Sequence, residues 1–478
     1  MKRTLTSLVL LLLLAGAKKA AAPPPPVGVT VTRSGNAEVV RAVLPGYLEE
    51  VELPRQADGK LDVVLLLNEK EPDPEDLRRR ERDGDRSADP EDADKAPRSL
   101  HRLDLAGQGA LRPLLQEVPP GTLGALDLDG DGAEEVLLST KDGLRSLGPA
   151  HKPSAPRTVL DLSGDLSFPS RWRNEEMPGV LAGGLGKARV YLPNGNGLAP
   201  SVERELPSRA TRERWGIRLT SPRVRTVRGD SQLLAAGPEA EGKQRLRSLL
   251  IGADSTTAIW SILPSPEEVD TAWYVKIDGM PSLIVTSTAA DKIGIFDSKR
   301  LRVFPLVADR ASAGRRPVLA TQTTSHRWLP VDPVVMDLDR DGKDDLVVLQ
   351  LDGMGGGEVI AETFFGRGDG RFETPGRRQK WDLETRDWCY GKDLTGDGIA
   401  DLALADRWRL LVFPGTKDPR RALLERKPLE IPLNLGKGED GGARSLRIAD
   451  LDADGRNEAV LTGSVATGGA VVVVVRFR

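Results

Sequence analysis

Four stretches of the chain repeat one arrangement of acidic residues around a glycine. They read DLDGDGAEEVLL from Asp127, DLDRDGKDDLVV from Asp337, DLTGDGIADLAL from Asp393 and DLDADGRNEAVL from Asp450. Positions 1, 3 and 5 carry side-chain oxygens in every copy, position 6 is Gly, and position 9 is Asp or Glu. Ligands spaced by two residues can turn onto one ion in a tight loop. Hard oxygen donors suit Ca²⁺, whereas Mg²⁺ gives up its waters reluctantly.

The pattern therefore predicts a calcium site in each loop, closed by the carboxylate at position 9. The candidate ligands are Asp127, Asp129, Asp131, Glu135, Asp337, Asp339, Asp341, Asp345, Asp393, Thr395, Asp397, Asp401, Asp450, Asp452, Asp454 and Glu458. Because Thr395 replaces a carboxylate, we expect its loop to bind most weakly. An EF-hand is excluded because position 12, where that loop needs a bidentate Glu, is Leu or Val in all four copies. Ordinary acidic turns remain the alternative interpretation.

Short apolar runs follow each loop, as expected of strands that are covered on both faces. Position 2 is always Leu, which indicates that this side chain faces a core. The 478-residue chain has 50 Gly, 35 Pro and 4% aromatic residues, and these features favour a turn-rich, all-β fold. Its 71 acidic and 68 basic residues give no overall bias toward nucleic acid.

The four loops, together with FFGRGDGRFE at 364–373, resemble the FG-GAP or VCBS repeats of integrin α-chain propellers and of many secreted bacterial proteins. The resemblance implies a β-propeller of four-stranded blades, each with one such loop between its first two strands. The motif is specific to the repeat and not to one activity.

The spacing of the loops predicts how many blades the chain holds. The last three strong loops begin 56 and 57 residues apart, a length that fits four strands. Weaker copies, for which we expect no ion, occur at 57–67, 175–184, 228–237 and 277–288. Eight blades are therefore favoured, and seven are possible if one weak copy is an insertion. We expect the strand at 27–32 to complete the last blade and so close the ring.

An apolar stretch near residue 1 and a highly charged internal segment predict the domain organisation. Residues 1–22 read as a signal peptide, with Lys2 and Arg3 before an apolar stretch and cleavage after Ala17 or Ala22. We expect residues 23–478 to form one propeller, interrupted by a charged, disordered insertion at 69–98. These features predict a secreted or periplasmic monomer without a membrane span. Cys389, the single cysteine, is expected to be a small buried hydrophobe.

The function predicted from these features is a binding module for an extracellular carbohydrate or protein ligand. Tryptophan and arginine side chains near the first strands suit sugars and anionic groups. The ligand-face candidates are Trp273, Trp328, Trp388, Arg327 and Arg386. Packing between blades is the alternative role for the tryptophans. No catalytic residue is assigned, but a polysaccharide lyase or hydrolase remains the alternative function, because a pair of catalytic carboxylates leaves no sequence trace.

Overall fold

The structure is a computed structural model, and its described residues form antiparallel strands without a helix. The described ranges are 27–69, 97–105, 109–119, 121–140, 143–161, 166–172, 179–184, 187–195, 197–205, 216–219, 231–236, 246–251, 259–261, 267–293, 296–305, 316–325, 332–352, 358–383, 385, 387–435, 442–465 and 469–477. The predicted signal peptide at 1–22 and most of the predicted insertion lie outside them. Arg98, the last residue of that predicted insertion, begins a strand.

The strands are numbered in chain order. Sheets 1 to 7 are numbered in the order of their strands from β3 onward, and sheet 8 combines the last three strands with the first two. Two strands precede sheet 1: β1 (Gly28–Ser34) and β2 (Ala37–Val43). Sheet 1 contains β3 (Tyr47–Glu52), β4 (Val63–Asn68), β5 (Arg98–Asp104) and β6 (Ala110–Val118). Sheet 2 contains β7 (Thr122–Leu126), β8 (Glu135–Thr140), β9 (Gly143–Pro149) and β10 (Arg157–Asp161). Sheet 3 contains β11 (Leu166–Trp172), β12 (Gly179–Gly184), β13 (Lys187–Asn194) and β14 (Gly197–Glu205). Sheet 4 contains β15 (Gly216–Leu219), β16 (Ser231–Ala236), β17 (Leu246–Ile251) and β18 (Ile259–Ser261).

The second half of the chain continues the same arrangement. Sheet 5 contains β19 (Glu267–Ile277), β20 (Met280–Ile293), β21 (Phe296–Pro305) and β22 (Leu319–Ser325). Sheet 6 contains β23 (Asp332–Met336), β24 (Asp345–Asp352), β25 (Glu358–Phe364) and β26 (Arg377–Asp382). Sheet 7 contains β27 (Asp387–Lys392), β28 (Asp401–Ala405), β29 (Arg409–Phe413) and β30 (Leu429–Pro432). Sheet 8 contains β31 (Gly442–Ala449), β32 (Glu458–Ser464) and β33 (Ala470–Phe477), joined by β2 and β1.

Sheets 1 to 7 are four-stranded meanders in which each strand pairs with the next along the chain. A succession of such sheets is the β-propeller architecture that the repeats implied, so the predicted all-β propeller fold is confirmed. Each of the four strong loops and each of the four weak copies falls between the first and second strands of its sheet. The described residues thus contain eight sheets, whereas closure of eight blades into a ring stays a prediction.

The sheet at the chain termini corrects one detail of the expected closure. The strand expected at 27–32 is present as β1, but it forms the fifth, outer position of sheet 8. The fourth position belongs to β2, which pairs with β33 from Ala37↔Phe477 to Val43↔Val471. The reason lies in burial, because β2 is covered on both faces whereas β1 is mostly exposed.

The cores lie between neighbouring sheets, and an inner strand such as β4 contributes side chains to two of these cores. In β4, Val63, Leu65 and Leu67 pack toward sheet 8, whereas Val64 and Leu66 pack toward sheet 2. This alternation follows from the two-residue period of a strand and explains the continuous apolar runs. The prediction that these strands are buried on both faces is therefore confirmed.

The leucines at position 2 of the loops also lie in these cores. Leu128, Leu394 and Leu451 are buried, and the half-buried Leu338 packs against the cluster between sheets 6 and 7. Cys389 is buried in the core between sheets 7 and 8, as predicted. Within the described part of the chain, no helix is long and apolar enough to cross a membrane.

Candidate metal centre

Each strong loop connects the first and second strands of its sheet in the same register. We call them loop 127 (127–135), loop 337 (337–345), loop 393 (393–401) and loop 450 (450–458). The residue at position 9 is the first residue of the second strand, and it pairs with the residue directly before position 1, as in Leu126↔Glu135 and Met336↔Asp345. The two strands therefore hold the two ends of each acidic loop together.

Left-handed backbone at two positions gives the loops their tight curvature. Position 6, which the sequence marks with Gly, has φ between 82° and 89° in all four loops. Position 4 is left-handed as well, and there the sequence gives no uniform signal. Gly130 and Gly396 accept this angle without strain, but Arg340 and Ala453 adopt φ values of 62° and 58°. Non-glycine residues at such angles are uncommon and mark a conformation imposed by the surrounding loop.

Backbone N–H groups fix the carboxylate at position 1. Asp127 accepts hydrogen bonds from the N–H groups of Gly130 at 2.7 Å and Gly132 at 3.0 Å. Asp393 accepts the equivalent pair, both at 2.7 Å. The carboxylate at position 5 accepts the N–H of position 7 in every loop, for example Asp131 from Ala133 at 2.7 Å. The acidic side chains are thus held in place by the fold of the loop itself.

The carboxylate at position 9 is buried and bonds back to position 2. Glu135 accepts the Leu128 N–H at 2.9 Å, and the other three loops contain the equivalent bond. Asp345 also accepts the N–H of Gly366, at 2.7 Å, from the turn after β25. A Cβ on Gly366 would lie 2.2 Å from the Asp344 carbonyl oxygen, so only Gly allows this approach. Gly415 meets Ala400 in the same way in sheet 7.

Three of the four strong loops bring three carboxylates together. Within each set, one oxygen from every residue lies within 4.8 Å of the others. The sets among the described residues are Asp127, Asp129 and Asp131; Asp337, Asp339 and Asp345; and Asp450, Asp452 and Glu458. Loop 393 forms no such set of described acidic residues, since Thr395 stands where the others have Asp. That loop 393 is the weakest site stays a prediction.

One buried oxygen at position 3, Oδ1 of Asp452 in loop 450, has no hydrogen-bond partner among the described residues. A buried polar atom without a partner costs free energy, and a cation coordinated by it would remove that cost. The carboxylates beside Asp452 are the hard oxygen donors that Ca²⁺ takes. The residues of loop 450 therefore fit a bound calcium ion.

Burial and neighbouring carboxylates raise the proton affinity of position 9. Burial, with a contribution from Asp339, raises the pKa of Asp345 to about 6. Burial and the nearby Asp452 raise the pKa of Glu458 to about 7. The pKa of Glu135 is also raised, first by burial and then by the charges of loop 127. Burial is the main cause of these shifts, and the neighbouring carboxylates of each loop add to it.

In the weak copy at 57–67, neighbouring side chains of the protein pair with the acidic groups. It retains Asp58 and Asp62 at positions 5 and 9, but Gln56 occupies position 3. The Gln56 side-chain amide donates a hydrogen bond to Asp62 Oδ1 at 2.9 Å, and Lys60 Nζ contacts Asp58 at 2.6 Å. An amide and an ammonium group here supply the positively polarised partners of the two carboxylates.

The ligand-face candidates are only partly described. Trp388 is 4% exposed and lies in the core between sheets 6 and 7. This is the packing position that the sequence analysis gave as the alternative for the tryptophans. The side chain of Trp273 and all of Trp328, Arg327 and Arg386 lie outside the described residues.

No protein-family model matches the chain, and no curated protein matches it. Among solved structures, the WD40 domain of SCAP from fission yeast aligns with a TM-score of 0.40 and 12% identity over 80% of this chain and 90% of that chain. The dihydro-heme d1 dehydrogenase NirN, solved in complex with DHE, aligns with a TM-score of 0.42 and 14% identity. That alignment covers 85% of this chain and 73% of that chain.

Proposed function

We propose that the chain is an exported, calcium-binding β-propeller of the FG-GAP or VCBS type that acts as a binding module for an extracellular carbohydrate or protein. The observation that carries the calcium assignment is the recurrence of three convergent carboxylates at one place in three different sheets. Acidic turns occur commonly at hairpins, but they do not need three carboxylates within reach of one ion.

The ligand chemistry supports calcium at loops 127, 337 and 450, with loop 393 as a weaker site. Positions 1, 3, 5 and 9 would supply the side-chain oxygens of each site. A bound calcium would neutralise carboxylates that otherwise repel one another, and so hold the first two strands of the sheet together. Because the ion binds only the folded loop, it stabilises the folded state by mass action.

Equilibrium dialysis with calcium, followed by elemental analysis, tests this assignment. We expect bound calcium at loops 127, 337 and 450, and poor competition by magnesium. Asp131→Asn, Asp341→Asn and Asp454→Asn should each remove one ion, because each changes position 5 of a different loop. A protein that retains no calcium at millimolar free concentrations would show that the loops are acidic turns only.

Export and blade number belong to the same proposal. The signal-peptide pattern at 1–22 supports export, and mass spectrometry of the mature protein should show a chain that begins after Ala17 or Ala22. Eight sheets, and the pairing of β2 with β33, support a ring of eight blades closed by both ends of the chain. A retained Met1, or an experimental structure with seven blades, would contradict these parts.

The choice between a binding module and an enzyme requires a functional screen. The purified protein should be tested against glycans and polysaccharides for two readouts, retention and the appearance of new reducing or unsaturated ends. Retention without new ends supports the binding module, whereas new ends would establish the polysaccharide-active enzyme instead.

A further inference from the structure

An arginine from the neighbouring sheet contacts the acidic side chains of loop 337. Arg420 lies in the connection between β29 and β30 of sheet 7, whereas loop 337 belongs to sheet 6. Its Nε bonds Asp339 Oδ2, and its Nη2 lies 3.7 Å from Asp341 Oδ2. A third contact, from Nη1 to Glu373 Oε1 at 3.1 Å, ties it to the turn before β26. Arg420 thus places one positive charge against two candidate calcium ligands.

The position of Arg420 is fixed by packing as well as by charge. Its guanidinium carbon lies 4.4 Å from the centroid of the Phe365 ring, which is almost fully buried. A guanidinium over an aromatic face is attracted by the ring as well as by carboxylates. The side chain of Arg420 is 37% exposed, and that of Asp339 only 10%. The contact is therefore not a freely solvated surface pair.

Loop 337 differs in this respect from the other loops that form acidic sets. Among the described residues, no lysine or arginine side-chain nitrogen lies within 4.0 Å of a carboxylate in the acidic sets of these loops, which are Asp127, Asp129 and Asp131, and Asp450, Asp452 and Glu458. In loop 337, Lys343 Nζ adds a second contact, at 2.9 Å from Asp341 Oδ2. Bonding to Lys343 and the charge of Arg420 lower the pKa of Asp341, so this carboxylate already has cationic partners.

We propose that Arg420 sets the calcium affinity of loop 337, because its guanidinium competes with the ion for Asp339 and Asp341. This inference rests on the proposed calcium function of the loop. The arginine partly neutralises the ligand set when calcium is low, and it repels an incoming dication at short range. Calcium at loop 337 should therefore bind more weakly than at loops 127 and 450, although loop 337 has Asp at every ligand position.

The competition has a structural consequence for the contact between sheets 6 and 7. Calcium binding should weaken the contacts of Arg420 with loop 337, whereas the contacts of its guanidinium with Glu373 and Phe365 should remain. Removing the Arg420 charge should consequently affect two quantities in opposite directions. Stability without calcium should fall, because an inter-sheet contact is lost, whereas calcium affinity at loop 337 should rise.

The experiment compares Arg420→Gln with Arg421→Gln in the full-length chain. Arg421 is the adjacent, exposed arginine, and none of its side-chain nitrogens lies within 4.0 Å of a described carboxylate. Each variant is titrated with calcium by equilibrium dialysis, alone and with Asp337→Asn. The difference between the two titrations isolates loop 337. Differential scanning calorimetry in chelator measures the stability of the same proteins.

We expect Arg420→Gln to raise the calcium affinity of loop 337 on the order of tenfold, the effect of about one unit of charge at short range. The calcium affinity of Arg420→Lys should equal that of the wild type or lie between those of the wild type and Arg420→Gln. The calcium affinity of Arg421→Gln should equal that of the wild type. An Arg420→Gln titration equal to that of the wild type, with one ion lost on Asp337→Asn, would overturn the role of Arg420 and keep the calcium site. If Asp337→Asn removes no ion in either background, the calcium site at this loop is wrong, and the role of Arg420 fails with it.

Discussion

Replacing Asp129 by Asn should change the stability of the protein in opposite directions with and without calcium. Oxygens of Asp127, Asp129 and Asp131 lie within 4.8 Å of one another in loop 127. The Asn side chain has the same shape and keeps the oxygen that accepts the Asp131 N–H at 3.2 Å. The substitution therefore removes one negative charge and leaves the fold of the loop intact.

The magnitude follows from the spacing of the carboxylates. At 4.8 Å, the upper limit of these separations, two unit charges repel by about 0.9 kcal/mol in water, and physiological salt reduces this by roughly half. Removing one charge relieves two such pairs, so the free energy of unfolding in chelator should rise by about 1 kcal/mol. At a free calcium concentration of about 100 Kd, a site contributes about 2.7 kcal/mol. Loss of that site leaves the variant about 1.7 kcal/mol less stable than the wild type in calcium.

Differential scanning calorimetry should resolve both changes. For a 478-residue chain, an unfolding entropy of about 2.1 cal/mol/K per residue gives about 1 kcal/mol per degree. The Tm of Asp129→Asn should then rise by about 1 °C in chelator and fall by about 2 °C in about 10 mM CaCl2. Asp58→Asn, in the loop where Lys60 already pairs the carboxylate, should give the same shift in both buffers. A Tm of Asp129→Asn that falls equally in both buffers would refute the calcium site.

Three further predictions follow from the same geometry. Thr395→Asp should give loop 393 a carboxylate at position 3 in addition to its other three, so equilibrium dialysis should show tighter calcium binding than in the wild type or in Thr395→Asn. Equal binding in all three proteins would show that position 3 is not a ligand. In chelator, the raised pKa values of Asp345, about 6, and Glu458, about 7, mean that the folded state holds these protons more tightly than the unfolded chain. The stability that these two groups provide is complete below the unfolded pKa of about 4 and is lost as the pH rises through about 6 to 7. Titration of the two groups should therefore lower the Tm in chelator between about pH 5 and pH 8. A rise in Tm over this range would contradict the shifts. Trp388→Ala should lower the free energy of unfolding by about 3–5 kcal/mol, with a smaller loss for Trp388→Phe, because the side chain is 4% exposed in an inter-sheet core; an unchanged Tm would refute the packing role.

Local sequence was sufficient to predict the repeated unit. The two-residue spacing of oxygens, Gly at position 6 and Leu at position 2 each reflect a requirement within one loop. The structure bears out the left-handed glycine, and it places the leucines at the inter-sheet cores. The apolar runs after each loop predicted strands that are covered on both faces for a similar reason. Successive side chains of a strand point to opposite faces, so a continuous apolar run makes both faces apolar.

Contacts between sheets could not be predicted in the same way. Arg420 and Asp339 are 81 residues apart, so the cation that partners loop 337 is invisible in the pattern of that loop. Four Asp residues at the ligand positions made loop 337 look as strong as any other. Trp388 presents the same difficulty. Its position in the sequence predicts the strand that carries it, but not the neighbouring sheet against which its ring packs. The identity of the fourth strand of sheet 8 likewise depended on pairing across almost the whole chain.

The residue at position 8 explains how the loops of different sheets depend on one another. Glu134 of loop 127 accepts the N–H of Arg55 in sheet 1 at 2.9 Å, and Asp344 of loop 337 accepts the N–H of Asp278 in sheet 5 at 2.6 Å. Asn457 of loop 450 donates to the Asp393 carbonyl in sheet 7 at 2.8 Å. In all three cases the partner is the loop of the preceding sheet. An ion bound in one loop would therefore also fix the group that holds the neighbouring loop, so the weak loops would contribute to the assembly of the sheets without an ion of their own.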